Sequence, residues 1–125
     1  MGATHVTCTI RNPAKLERAW DALFLVDTGA TDCMAPAKHL HAIGLEPRGV
    51  RVYELADGTE VKYGIAVAHV EFMGEFVGAT IIFGPDDCEP ILGVTALESV
   101  GIEVDPRNQT LKRLPAVRLK SVRRD

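Results

Sequence analysis

An acid and a glycine follow directly on an apolar run in residues 23–30, which read LFLVDTGA. The apolar residues 22–26 predict a strand that has little contact with water. Asp27 comes immediately after this strand, where an ionised carboxylate costs free energy unless it is hydrogen-bonded or paired. Asp, Thr and Gly at a strand end are also ordinary turn residues. The three residues alone therefore fit either a simple turn or a carboxylate that is kept at this place for its chemistry.

A pair of such acids would have a definite chemical use. Two carboxylates held close together do not both ionise easily, so they share one proton and can activate a water molecule between them. Thr28 would hydrogen-bond across the pair and fix its geometry, and Gly29 would let the backbone approach the carboxylates. The sequence has no second Asp-Thr/Ser-Gly, because 57–59 has the wrong order and the acids at 86–87 lack the apolar strand and the glycine. One chain therefore supplies one acid of the pair.

The elements that would position Asp27 are mostly strands. Alternation and turn residues predict strands at 5–10, 22–26, 50–55, 59–72, 75–83, 91–93 and 102–105. We interpret the polar stretch 11–20 as a connection between the first two strands. Pro36 and Gly44 would begin and end one short helix, and the capping-box spacing of Thr95 and Glu98 predicts a second.

The order of these motifs resembles that of the retropepsins, the retroviral-type aspartic proteases and their bacterial single-lobe relatives. The resemblance covers roughly residues 3–111 and depends on LFLVDTGAT at 23–31, a later hairpin, and ILG at 91–93 before a short helix. It implies a mostly β lobe, with a small closed barrel-like sheet, a flap hairpin and one or two short helices. We place this domain at 1–111 and treat 112–125 as a basic C-terminal tail.

The resemblance also implies roles for individual residues. Asp27 is then the catalytic aspartate, Thr28 braces the pair of acids, and the next two residues line the substrate cleft. The supporting residues are Thr28, Gly29 and Ala30. The residues expected to pack behind the active-site loop are Ile91, Leu92 and Gly93. Asp32 is expected at the surface or in a substrate subsite.

The hairpin tip at 56–58 matches the flap in position. Asp followed by Gly favours the positive φ angles of a tight turn. A mobile hairpin there would close over an extended peptide and offer it backbone hydrogen bonds. An exposed turn without such a role would have the same tip. The expected flap residues are Ala56, Asp57 and Gly58.

The resemblance implies an aspartic endopeptidase that works as a homodimer on a peptide or protein substrate, with the two copies of Asp27 meeting on a two-fold axis. Val94 stands where the retroviral enzymes commonly carry an arginine that braces the dimer, and the basic tail takes the place of their interleaved C-terminal strand. How two chains would hold together is therefore open. The alternative is a non-catalytic module of the same fold that binds a peptide or pairs subunits.

Composition and charge limit the number of domains, the kinds of partner and the cellular compartment that we expect. The 125 residues carry a formal net charge of -3 and suit one domain. The basic residues are spread out before the tail, so we expect no nucleic-acid or membrane partner. No stretch approaches the ~20 apolar residues of a membrane span, and three cysteines without CxxC spacing fit a reducing compartment, so we expect a cytoplasmic protein.

Two histidines near one cysteine raise the question of a metal site. His39 and His41 stand two residues apart on the first predicted helix and would face different sides, so they do not easily share one ion. Cys33 has no motif partner. We expect no metal and no cofactor.

Overall fold

The structure, a computed structural model, describes residues 3–117 and Leu119. Within these residues the chain forms nine strands and two short helices. The strands are β1 (His5–Asn12), β2 (Lys15–Asp27), β3 (Cys33–Pro36), β4 (Gly49–Glu54), β5 (Glu60–Phe72), β6 (Glu75–Gly84), β7 (Ile91–Gly93), β8 (Ile102–Asp105) and β9 (Thr110–Arg113). The helices are α1 (Ala37–Ala42) and α2 (Val94–Ser99). The prediction of a mostly β chain is confirmed.

Seven of the strands form one sheet that closes on itself. Their order is β1-β2-β7-β3-β6-β5-β4, and β1 also pairs with β5 through residues 9–11 and 69–71. This additional pairing makes a ring of six strands. Strand β4 pairs with β5 outside the ring. The predicted closed sheet is confirmed as a ring of paired strands from which the hairpin of β4 and β5 projects.

One buried core joins the strands of the ring to both helices and β8, and it sets the direction of the β2 side chains. Phe24 and Val26 of β2 are buried, so the alternation of a strand places Leu23, Leu25 and Asp27 on the opposite face. The other fully buried side chains include Ile10, Leu40, Val70, Ile81, Leu92, Leu97 and Ile102. Packing of this core therefore turns Asp27 away from the interior.

The stretch 11–20 differs from its predicted connection and is mostly strand. Strand β1 continues to Asn12 and β2 begins at Lys15, which leaves Pro13 and Ala14 as the turn. The side chains of residues 15–19 are exposed, because this end of the hairpin projects from the sheet. A strand with neither face buried lacks the apolar alternation on which sequence-based prediction depends.

Two further strands were not predicted. Strand β3 has four residues and pairs in parallel with β6 and in antiparallel direction with β7. Its extended state depends on these neighbours, since strand preference is largely a matter of context. Strand β9 pairs with β8 in a separate two-stranded sheet and runs across the boundary placed between 111 and 112. The limit of the domain stays a prediction.

Both helices have six residues, and α2 does not begin as predicted. Its N-cap is Gly93 and no side chain caps it, so the capping box expected from Thr95 and Glu98 is wrong. The helix begins where β7 ends, and the neighbouring loop accepts hydrogen bonds from its first N–H groups. Among the described residues, no helix is long and apolar enough to cross a membrane.

Candidate active site

Strand pairing places Asp27 beside the ILG segment. Strands β2 and β7 run in parallel, with Leu25 opposite Ile91, Val26 opposite Leu92, and Asp27 opposite Gly93. Leu92 and Gly93 are buried, and Ile91 is half-buried. Asp27 is the last paired residue of β2, so its side chain lies where the chain leaves the sheet.

Residues 27–32, here called the Asp27 loop, fold back on the Asp27 carboxylate. The backbone N–H of Gly29 donates to Oδ1 of Asp27 at 2.9 Å, and the N–H of Ala30 donates to the Asp27 carbonyl at 3.1 Å. A Cβ atom at position 29 would lie 3.2 Å from Oδ1. Glycine therefore allows the backbone to lie this close to the carboxylate.

The Asp27 loop is bonded to the start of α2. The N–H of Val94 donates to the carbonyl of Ala30 at 2.8 Å, and that of Thr95 to the carbonyl of Thr31 at 3.3 Å. Gly93 packs against the same loop, since a Cβ there would lie 2.6 Å from the carbonyl carbon and oxygen of Asp32. The Asp27 loop and the segment formed by ILG and the start of α2, which are far apart in the chain, thus form one hydrogen-bonded unit.

The Asp27 side chain lies on an accessible surface next to apolar residues. Asp27 is half-buried and Thr28 and Gly29 are exposed. On the same face of β2, Leu23 is 59% exposed and Leu25 is half-buried. Within residues 3–117, no group of three or more His, Cys, Asp or Glu side chains is placed to hold a metal ion. The site can therefore offer a ligand one oriented carboxylate and the apolar surface of Leu23 and Leu25.

The hairpin of β4 and β5 carries the predicted flap residues at its tip. Its strands pair in register from residues 49 and 65 to residues 54 and 60. The N–H of Leu55 donates to the carbonyl of Thr59 at 2.7 Å, and the N–H of Thr59 donates to Oδ1 of Asp57 at 2.9 Å. This second bond lowers the pKa of Asp57. Gly58 has a φ of 86°, as the tight turn requires. Residues 54–60 are all exposed.

Asp32 lies beside strand β4 of this hairpin, close to where the tip begins. Its side chain is only 10% exposed, so the surface alternative is wrong, whereas the subsite alternative stays a prediction. The hydroxyl of Tyr53 donates to Oδ2 of Asp32 at 2.6 Å, and Nη1 of Arg51 donates to the same oxygen at 3.1 Å. Burial, together with the hydrogen bond and charge of Asp32, raises the pKa of Tyr53 to about 12.

The sequence contained part of the signal for this contact. Arg51 and Tyr53 stand two residues apart on one strand, so they share a face. Which residue that face meets depends on how the hairpin projects from the ring, and no local pattern indicates that.

Among residues 3–117, the histidines of α1 and the two buried cysteines make packing or ion-pair contacts and are not arranged as a metal or nucleophile site. The ring of His39 stacks on Trp20 with centroids 4.5 Å apart, and Nδ1 of His41 lies 3.1 Å from Oε2 of Glu46. Cys8 and Cys33 are free, buried thiols, and burial raises the pKa of Cys8 to about 12 and that of Cys33 to about 11. A thiol that holds its proton so firmly is a poor nucleophile.

A sequence model of the family described as "Aspartyl protease" matches residues 6–96. The match spans the Asp27 loop, the hairpin of β4 and β5, the ILG segment and every strand of the ring. No curated protein matches the chain. Because the family match covers well over half of the chain, and the chain folds as a mostly β ring with the Asp27 loop held beside ILG, this protein belongs to a retropepsin-like aspartyl protease family.

Proposed function

We propose that the protein is an aspartic endopeptidase that is active as a homodimer, with Asp27 contributed by each chain. The observation that carries the proposal is the orientation of Asp27: its carboxylate is fixed by the Gly29 N–H at the accessible end of β2. This loop is in turn fixed by its hydrogen bonds to the start of α2. A carboxylate held in this way is suited to work as one half of a pair.

The proposed mechanism activates a water molecule between the two carboxylates. One carboxylate takes a proton from the water, while the other, which is protonated, polarises the carbonyl of the scissile peptide bond. The Gly29 N–H occupies Oδ1 of Asp27, and Oδ2 makes no hydrogen bond within residues 3–117, so it is open to water or to the partner. The reaction needs no covalent intermediate.

The dimer is proposed because each chain carries one such acid. Thr28 and Gly29 are exposed at the end of the Asp27 loop, so a second copy can approach this loop about a two-fold axis. In that arrangement the Thr28 hydroxyl would hydrogen-bond to the partner's loop. The protein family supports a peptidase, and the pairing of two chains is the step that would complete its site.

The proposed substrate is an extended peptide with apolar side chains. It would lie between the hairpin of β4 and β5 and the face of β2 that carries Leu23, Leu25 and Asp27. A hairpin closing from above offers backbone hydrogen bonds to an extended chain, and the leucines offer apolar contact. The three free thiols fit a reducing compartment, so we also propose a cytoplasmic location.

Cleavage of a diverse peptide library tests the activity. We expect the wild-type protein to cleave peptides somewhere between about pH 4 and 7.5, where a shared-proton pair can titrate. Asp27→Asn should lose this cleavage. Asp21→Asn, the same change at an exposed position of the same strand, is the matched control and should retain it.

The library experiment must be read together with the oligomeric state from sedimentation. Absence of cleavage by wild-type protein that is dimeric in the assay would contradict the peptidase and favour a peptide-binding module. Cleavage that survives in Asp27→Asn would contradict the assignment of Asp27. A wild-type protein that cleaves as a strict monomer would contradict the shared pair.

A further inference from the structure

We propose that Asp32 is a positioning residue that ties the hairpin of β4 and β5 to the Asp27 loop and thereby lowers the cost of closing the flap on a peptide. The part of this inference that concerns peptides depends on the proposed function. The tie itself concerns the folded chain alone, so it can be tested without catalysis.

The tie joins two parts of the chain that do not pair directly with each other in the sheet. Asp32 is the last residue of the Asp27 loop, and its backbone packs on Gly93. Arg51 and Tyr53 belong to β4, which pairs with β5 outside the ring. Within the described residues, the side chains of β4 form hydrogen bonds with Asp32 alone. Asp32 therefore bridges the projecting hairpin and the loop that carries Asp27.

Because Asp32 is buried, its carboxylate depends on the side-chain donors of β4 for its hydrogen bonds. A carboxylate that is 10% exposed has lost most of its water and needs protein donors in its place. The two donors differ in their surroundings, because Tyr53 is half-buried whereas the Arg51 side chain is 50% exposed. Water competes less for the Tyr53 hydroxyl, and its 2.6 Å bond to a charged acceptor is of the short, strong kind. Tyr53 is therefore the principal donor of the tie.

The position of Tyr53 determines which part of the hairpin can move. Tyr53 lies two residues before Leu55, where the tip begins, and the neighbouring Val52 is 51% exposed. The tip at 55–59 consists of exposed residues. With Tyr53 held on Asp32, motion is confined to this tip, and the paired strands that lead to it keep their place beside the end of the Asp27 loop. A peptide then has less of the hairpin to order when it binds.

Tyr53→Phe removes the principal donor while keeping the aromatic ring. Tyr63→Phe is the matched control, because Tyr63 lies on the facing strand, its ring centroid is 6.5 Å from that of Tyr53, and its hydroxyl makes no hydrogen bond within residues 3–117. In amide hydrogen exchange of the free protein, we expect the amides of residues 50–55, which the tie holds, to exchange about three- to tenfold faster in Tyr53→Phe, as the loss of one net hydrogen bond implies. They should keep the wild-type rate in Tyr63→Phe. Equal exchange in all three proteins would overturn the tie.

Peptide cleavage then tests the role of the tie in binding. If closing the flap contributes to binding, Tyr53→Phe should raise KM about three- to tenfold and leave kcat within about twofold. Asp32→Asn, which removes the charge of the acceptor, should shift KM in the same direction. Faster exchange with an unchanged KM would overturn the role in binding. If the wild-type protein cleaves no peptide, the proposed function fails, yet the exchange experiment still decides whether Asp32 holds the hairpin.

Discussion

Two carboxylates five residues apart in the chain have opposite surroundings. Asp27 is half-buried and, within the part of the chain that the structure describes, receives one hydrogen bond, from the backbone N–H of Gly29. Asp32 is almost fully buried and receives bonds from the side chains of Tyr53 and Arg51. An acid surrounded by side-chain donors has little room for a water molecule. An acid with a free oxygen on an accessible face can bind one. This contrast favours Asp27 as the reacting group and Asp32 as a residue that holds structure.

At the scale of single residues, Gly93 is predicted to be intolerant of any side chain. Gly93→Ala would place a Cβ 2.6 Å from the backbone of Asp32, and backbone atoms cannot move aside without displacing the Asp27 loop. We expect the free energy of unfolding to fall by about 2 kcal/mol or more in urea titrations.

Gly78→Ala in β6 is the control for this substitution, since a Cβ at position 78 would meet nothing within 4 Å. We expect it to change the free energy of unfolding by no more than about 0.5 kcal/mol. Equal effects of the two substitutions would contradict the close packing of β7 on the Asp27 loop.

The raised pKa of Tyr53 predicts a loss of stability at high pH. Its pKa is raised from 10.0 to about 12 by burial and by Asp32, so the folded chain keeps the phenol proton that the unfolded chain releases. The contribution of Tyr53 to stability is therefore complete below pH 10 and is lost as the pH rises from 10 to 12. The free energy of unfolding, measured from pH 9 to 12, should fall more steeply in the wild-type protein than in Tyr53→Phe. The buried thiols of Cys8 and Cys33 are present in both proteins and contribute equally to the two slopes. Identical slopes would contradict the contact with Asp32.

At the scale of elements, the sequence predicts best where burial and turn chemistry act locally. The alternation in 59–72 and the glycine at position 58 are sufficient to predict the hairpin of β4 and β5. Strands β3 and β9 could not be predicted, because they are four residues long and their extended state depends on partner strands. The contact of Asp32 with β4 was missed for the same reason, since it joins elements through the fold and not through a local pattern.

Helix α1 depends on the projecting end of the first hairpin. Nδ2 of Asn12 donates to the carbonyl of Ile43 at 3.0 Å, and Nη2 of Arg18 donates to the carbonyl of Ala42 at 2.9 Å. Carbonyls at a helix end have no partner within the helix. We expect Asn12→Ala and Arg18→Ala each to lower the free energy of unfolding by about 1 kcal/mol, measured by urea titration. Lys15→Ala changes an exposed residue of the same hairpin and should have no comparable effect. A loss as large in Lys15→Ala would contradict the anchoring role of these two side chains.

At the scale of the whole molecule, the ring of strands presents Asp27 once, so the proposed pair of acids requires a second chain. The six strands of the ring, closed by the pairing of β1 with β5, hold the Asp27 loop beside β7. The single Asp-Thr-Gly indicates that one chain cannot form the pair alone. The contacts between two chains were not predictable, since Val94 replaces the arginine that would have indicated them and no local pattern takes its place.

The most direct test of the shared pair is the cleavage rate of mixtures of wild-type and Asp27→Asn chains at constant total concentration. If only dimers with two copies of Asp27 are active and the chains exchange freely, the rate should follow the square of the wild-type fraction. An equal mixture should then retain about one quarter of the wild-type rate. Mixing the chains in urea before they refold together ensures that they exchange, and mixtures with Asp21→Asn, which should retain the full rate, control for effects of mixing that do not involve Asp27. A rate proportional to the wild-type fraction, with about one half retained in the equal mixture, would show that each chain works alone and would contradict the account.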